Sequence, residues 1–242
     1  MTAVPAKIKT FDLQPGRKIS AKYEIIECLG KGWEGEVYKI LEKSTNIERT
    51  AKLFFPHRNI KNKAINFYAK KLHKLRDCRS VVHYHHQETI IIKRQPIAVL
   101  ISEYVKGELL SKYLESMPGR RLRVFQALHL LHSLVCVIES IHSQLEYHGD
   151  IHSDNIIVKR HGLSYELKIL DFFHWGRPTK QHRRDDIVNA VQIFYDALGG
   201  RRFYSKQPVQ VKQICCGLKP SLIGKKFPDI SRLRIFIEML DW

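Results

Sequence analysis

The chain has 242 residues, 44% of them hydrophobic and 27% charged, a balance that excludes collagen-like, mucin-like and disordered chains and fits one large domain or two small lobes. Lys and Arg number 41 against 24 Asp and Glu, a formal charge of +17, which favours polyanionic partners and leaves the fold open. Cys28, Cys78, Cys136, Cys215 and Cys216 are odd in number and form no C-x-x-C pair, so a reducing compartment is expected and a zinc site is not. The N-terminus shows no apolar leader and no apolar run approaches ~18 residues, so the reading is cytoplasmic, without a transmembrane segment.

Residues 1–22, with Pro5, Pro15 and Gly16, read as an extended tail or strap. Tyr23–Leu29 alternates as a strand and is broken by Gly30, Gly32 and Gly35. Glu36–Leu41 and Arg49–Phe55 follow as strands, the latter ended by Pro56. Ala64, Ile65, Tyr68, Leu72 and Leu75 give helical spacing over 61–75. Val81–Tyr84, Thr89–Lys93 and Ile97–Tyr104 read as three more strands. After Gly107 the period becomes helical: a short helix at Leu109–Leu114, then a long one ending near His142. Two β runs, Ile156–Lys159 and Leu167–Leu170, precede an apolar helix, Asp186–Leu198, stopped by Gly199-Gly200. Val209–Leu218 and Ile230–Met239 read as the closing helices.

Four short motifs carry chemistry. Leu29–Val37 fits G-x-G-x-x-G-x-V, and glycines without Cβ let backbone N–H groups approach phosphate oxygens. Its place between two strands favours a phosphate-covering hairpin over a dinucleotide fold. Lys52 on the next strand can neutralise phosphate charge. In His148–Asn155, H-G-D-I-H-S-D-N, Asp150 can accept a hydroxyl proton and Asn155 can hold a phosphate-bound metal. Asp171 ends a short strand, and its carboxylate suits Mg²⁺.

In this order and context the motifs resemble the eukaryotic-like protein kinase superfamily, in the form of a minimal bacterial Ser/Thr-type member. The resemblance covers about residues 23–240. It implies an α+β bilobal fold: an antiparallel β-sheet N-lobe with one helix at 23–102, a hinge at 103–107, and a mainly helical short C-lobe at 108–242. It implies ATP and Mg²⁺, a protein substrate, and a phosphotransferase with Asp150 and Lys52 at the chemistry. Adenine would meet Glu103 and Val105 of the hinge, behind Ser102, and be sandwiched by Val37, Ala51 and Ile157. Glu108 resembles the ribose-contacting acid. Asp186 would brace the catalytic loop.

The departures are as informative. No acidic residue lies between 57 and 76, so the helix glutamate expected to pair with Lys52 is missing. The register puts Tyr68 near that place, with Glu88 on a later strand as a substitute. Gly149 stands where an arginine is usual, and Phe173 follows Asp171-Phe172 in place of glycine. His152 gives the loop the H-G-D-x-H-x-x-N pattern of small-molecule phosphotransferases, and it can contact the γ-phosphate. Asp171 and Asp186 are only fifteen positions apart, which leaves no A-P-E segment to dock a peptide. Three functions therefore stay open: a Ser/Thr protein kinase, a nucleotide-binding pseudokinase scaffold, and a small-molecule kinase. The basic stretch Arg58–Arg94 is either a docking face for an acidic protein or polyanion, or a solvated surface. No nucleic-acid-binding motif supports it, and His83, His85 and His86 lack the company a metal would need.

Overall fold

The computed structural model describes residues 7–162, 164–174 and 176–241; the first six residues of the expected tail lie outside them. The chain divides into two compact units. One takes the residues up to Arg76 together with Val82–Val105, the other Asp77–Val81 together with the residues from Lys106.

The first unit is a five-stranded antiparallel sheet, ordered β1-β2-β3-β5-β4, from β1 (Tyr23–Lys31), β2 (Gly35–Glu42), β3 (Ile47–Phe54), β4 (Tyr84–Ile92) and β5 (Gln95–Glu103). Helix α1 (Lys63–Lys74) is inserted after β3. Its Ile65, Tyr68 and Leu72 are buried, while Lys71, His73 and Lys74 occupy the last turn, where cations suit the helix dipole. The expected separate strand at Val81–Tyr84 is not formed. Val81 belongs to the other unit as an isolated parallel bridge to Ile169, and β4 begins at Tyr84 and runs unbroken to Ile92. Short apolar runs around polar residues do not reveal whether they join end to end.

Side chains alternate across the sheet. On one face Tyr38, Ala51, Leu53, Val99 and Ile101 form a core with Ile8, Phe11 and Leu13 of the N-terminal segment. Ile8, Phe11 and Leu13 are each buried, worth about 1.5–3 kcal/mol apiece before ordering costs, and Ile19 packs partly buried against the same core. The strap's polar anchor is Glu36, fully buried, which accepts from Thr10 Oγ1 at 2.7 Å, Phe11 N at 3.1 Å and Asp12 N at 3.2 Å, and from the Tyr38 hydroxyl. Burial pushes the Glu36 carboxyl up, but these hydrogen bonds together outweigh it and hold the group below its ordinary value.

The second unit opens with β6 (Glu108–Leu109) and α2 (Leu110–Ser116), followed by α3 (Val124–Ser143). Strands β7 (Ile156–His161) and β8 (Ser164–Ile169) complete a small antiparallel sheet with β6. Helices α4 (Lys180–Ala197), α5 (Arg201–Tyr204), α6 (Val209–Cys215), α7 (Pro220–Lys226) and α8 (Ile230–Glu238) follow. α4 starts six residues before the expected Asp186, because Thr179 caps it by accepting from His182 N. α3 is long and apolar enough to cross a membrane, contrary to the expectation that no segment would be; half of that stretch is buried inside the unit, as befits a core helix packed against α4 and α8. All five cysteines are free thiols.

Candidate active site

In the sheet unit the glycine motif forms the β1–β2 hairpin. Gly32 N donates to Gly35 O at 2.8 Å, and Phe55 N donates to Glu34 O at 2.9 Å. A Cβ on Gly35 would lie 1.9 Å from the Leu53 carbonyl oxygen, so only glycine fits between β2 and β3. A Cβ on Gly30 would meet nothing within 4 Å, and one on Gly32 only the Gly35 oxygen at 3.9 Å. Packing does not require those two glycines; their backbone is left open to a ligand. Trp33 at the tip is exposed and lies 3.9 Å under the Arg58 guanidinium.

Lys52 and Val37 are paired in register and so share a face, opposite the strap. Thr50 and Ser102 are paired in turn and share that same face. Ala51 does not. It pairs with Tyr38 and Ile101 and is wholly buried in the strap-side core, so its expected contact with adenine is corrected. Adjacent strand residues point to opposite faces, and the neighbour on the Lys52 side is Thr50. Glu88 is excluded as a partner of Lys52 for the same reason: it is in register with Val99 and meets His86 at 3.2 Å. Lys52 Nζ instead lies 3.0 Å from Glu34 Oε2 and 3.2 Å from the Tyr68 hydroxyl, and that hydroxyl is 2.9 Å from Glu34 Oε2. Glu34 was within the quoted motif; what sequence reading missed is that the hairpin root turns it toward the lysine. Glu103 ends β5, its N–H donating to His83 O at 2.9 Å, with Val105 half-buried two residues on.

In the helical unit the loop after α3 is held by Asp186 of α4. The buried Asp186 accepts from His148 N at 2.8 Å and Gly149 N at 2.9 Å, and meets His142 Nε2 at 3.0 Å. Gly149 has φ +88°, a left-handed conformation that glycine takes without a Cβ penalty. His148 is buried; its Nδ1 accepts from Asp150 N at 3.2 Å, which leaves Nε2–H to donate to Leu170 O at 2.7 Å. Its ring packs at a tilt of 41° against Phe172, centroids 4.5 Å apart.

Asp150 exposes about half of its side chain, 51%, so its carboxylate is available to a substrate. His152 Nε2 is 3.6 Å from Asp150 Oδ2, while its Nδ1 accepts from Asp154 N at 3.3 Å. Asn155 is buried and donates its amide to Asp150 O at 3.0 Å, which frees its Oδ1 as an acceptor or ligand. Leu170 N donates to Asn155 O at 2.8 Å, so the strand end carrying Asp171 is tied to the same loop. Asp171 is exposed and has φ +47°, a conformation costly for a residue with Cβ and characteristic of functional positions. Glu108 and Ile157 flank this loop on β6 and β7, Glu108 opposite Val158 and Ile157 opposite Leu109.

The oxygen donors Asn155 Oδ1 and the Asp171 carboxylate suit a hard cation such as Mg²⁺, which keeps waters and phosphate oxygens as its other ligands. No cluster of three or more His, Cys, Asp or Glu that could cage a metal occurs among the described residues. His85 lies 2.7 Å from Arg49, and burial holds it below the ordinary histidine value. The basic stretch is partly consumed by structure: Arg58 covers Trp33, Lys71 is buried, and Lys93 donates to Thr10 O at 3.3 Å.

A glycine hairpin over a strand lysine and a braced H-G-D loop are the parts of a phosphotransfer domain of the kinase type. The family model for the protein kinase domain matches residues 23–193, and the chain belongs to that family. It is similar to a probable cyclin-dependent serine/threonine-protein kinase of Dictyostelium discoideum, 26% identical over 208 residues, covering 84% of this chain and 14% of that protein. It is also similar to the probable serine/threonine-protein kinase YbdM of Bacillus subtilis, 27% identical over 192 residues, covering 76% and 69%. CBL-interacting protein kinase 25 of rice is 27% identical over 231 residues, covering 91% and 44%. The chain thus spans less than half the length of two of these three relatives.

Proposed function

We propose that the protein transfers the γ-phosphate of ATP to a serine or threonine hydroxyl of a protein substrate in the cytoplasm. The observation that carries this reading is the half-exposed Asp150 carboxylate on a loop whose backbone is fixed through buried Asp186. Asp150 orients the acceptor hydroxyl and takes its proton as the new O–P bond forms. The bond from the γ-phosphorus to the β–γ bridging oxygen breaks, and ADP leaves. Asn155 and Asp171 would hold Mg²⁺, which supplies neutralisation of phosphate charge when bound. Lys52 and the open backbone around Gly30 and Gly32 bind phosphate oxygens, and Val37, with Thr50 beside it, offers a face to adenine. His152, with Nδ1 occupied by Asp154 N, turns its Nε2 toward Asp150 and steadies it for the incoming hydroxyl.

A small-molecule acceptor is the second reading, favoured by one observation: only Phe172–Thr179 separate Asp171 from the start of α4, too little chain for a peptide platform. The test is transfer of labelled γ-phosphate from MgATP to the protein itself and to cell lysate, with Asp150→Asn alongside. Label on protein that falls by about 100-fold or more in Asp150→Asn, at an unchanged melting temperature, is the expected result. Label confined to small molecules would overturn the protein substrate.

A further inference from the structure

We propose that Glu34 of the glycine hairpin is the carboxylate that orients Lys52, in place of the glutamate that α1 lacks. This rests on reading Lys52 as the phosphate-binding lysine.

Lys52 cannot find a carboxylate on α1, because residues 57–76 contain none. What α1 brings to it is the Tyr68 hydroxyl. Three groups then close a ring: Lys52 Nζ donates to Glu34 Oε2 at 3.0 Å and to the Tyr68 oxygen at 3.2 Å, and Tyr68 donates its proton to Glu34 Oε2 at 2.9 Å. Lys52 also lies 4.2 Å from the Tyr68 ring centroid, within cation–π range. The Lys52 and Glu34 side chains are only 12% and 21% exposed, so the pair is screened less than a surface ion pair.

Glu34 is not a freely swinging tip residue. Its carbonyl is fixed by Phe55 N, and Gly35 beside it is wedged against the Leu53 carbonyl with no room for a Cβ. The carboxylate therefore leaves from a point fixed to β3, the strand that carries Lys52. The Tyr68 ring is held in turn by Phe54, centroids 5.7 Å apart. The consequence is mechanical. The aim of Lys52 is set by the hairpin that covers the phosphates, and α1 contributes a neutral hydroxyl. Movement of α1 alone leaves the lysine with its carboxylate.

The test uses the full chain and three variants, Glu34→Gln, Tyr68→Phe and the double Glu34→Gln/Tyr68→Glu, which moves the carboxylate to the helix. MgATP binding is measured by calorimetry, and kcat and KM for ATP by ADP release. Glu34→Gln is expected to lower kcat by about 100-fold while KM changes by less than about threefold and the melting temperature by less than about 2 °C. Tyr68→Phe should lower kcat by about threefold, and the double variant should recover at least about tenfold of the loss. A Glu34→Gln protein with wild-type kcat, or with tighter MgATP binding, would overturn the proposal, since the carboxylate would then be a competitor of the phosphates. So would a double variant with no recovery. Wild-type protein that binds no MgATP would overturn the phosphate-site reading and this pairing together, an outcome the calorimetry separates from the others.

Discussion

Among the described residues, each unit has one fully buried carboxylate that gathers backbone N–H groups, and the two do different work. Asp186 in the helical unit accepts from His148 and Gly149 and so fixes the loop that carries Asp150. Glu36 in the sheet accepts from Phe11 and Asp12 and so fixes a strap on the face opposite Lys52. The physics is the same: a charge removed from water is tolerated because several donors converge on it, and losing it strands those donors. What differs is what the pinned segment carries. One holds the loop of the proposed catalytic carboxylate to a geometry; the other seals an apolar core.

That comparison is sharpest when each carboxylate is removed. Asp186→Ala strands two backbone donors and His142 and should cost roughly 3–5 kcal/mol. Transfer should become undetectable even in the fraction that remains folded, read by calorimetric unfolding beside the label assay. Glu36→Gln should cost less, about 1–3 kcal/mol, because the amide oxygen still accepts. Amide exchange should rise at Phe11 and Asp12 while kcat stays within about twofold. Equal losses of kcat in the two variants would break the distinction.

Glu36 also gives a pH signature. Its carboxyl is held below the ordinary glutamate value, so the stabilisation is complete above about pH 4.3, the unfolded value. It is lost as pH falls through the lowered folded value. The stability gap between wild type and Glu36→Gln should therefore be constant from neutrality down to about pH 5 and narrow as pH falls below about 4.3.

The smallest effects test the two sheet faces directly. Ala51→Leu overfills the strap-side core and should cost about 1–3 kcal/mol, with little change in KM for ATP. Thr50→Ala on the Lys52 face should leave stability within about 0.5 kcal/mol and move the KM for ATP by a few-fold. The reverse pattern would show that the faces have been assigned the wrong way round.

Much of this molecule was readable residue by residue. The change from period 2 to helical period after Gly107 marks where strands give way to helices. The glycine motif, Lys52, the His148–Asn155 loop and Asp171 stand out because the four occur together in one order and context, although each alone has other uses. Asp186 was legible as a brace only through the family resemblance, since nothing in its own neighbourhood points to a loop about 38 positions earlier. Ala51 was placed at adenine through the family resemblance alone, and the strand turns it to the side opposite Lys52. Glu88, offered as a substitute partner, falls on the strap face because its strand pairs it with Val99, a register no local pattern reveals.

The sequence by itself determined the class of fold, most of the order of its elements and the residues proposed to react, because local periodicity and short motifs are properties of neighbouring residues. Tertiary structure alone decided that Glu34 reaches Lys52 and what covers the far face of the sheet. Glu34 and Lys52 are eighteen positions apart, and Glu36 and Phe11 twenty-five. Only the hairpin register and the path of the strap bring such pairs within hydrogen-bond distance, and neither leaves a periodic mark on the chain.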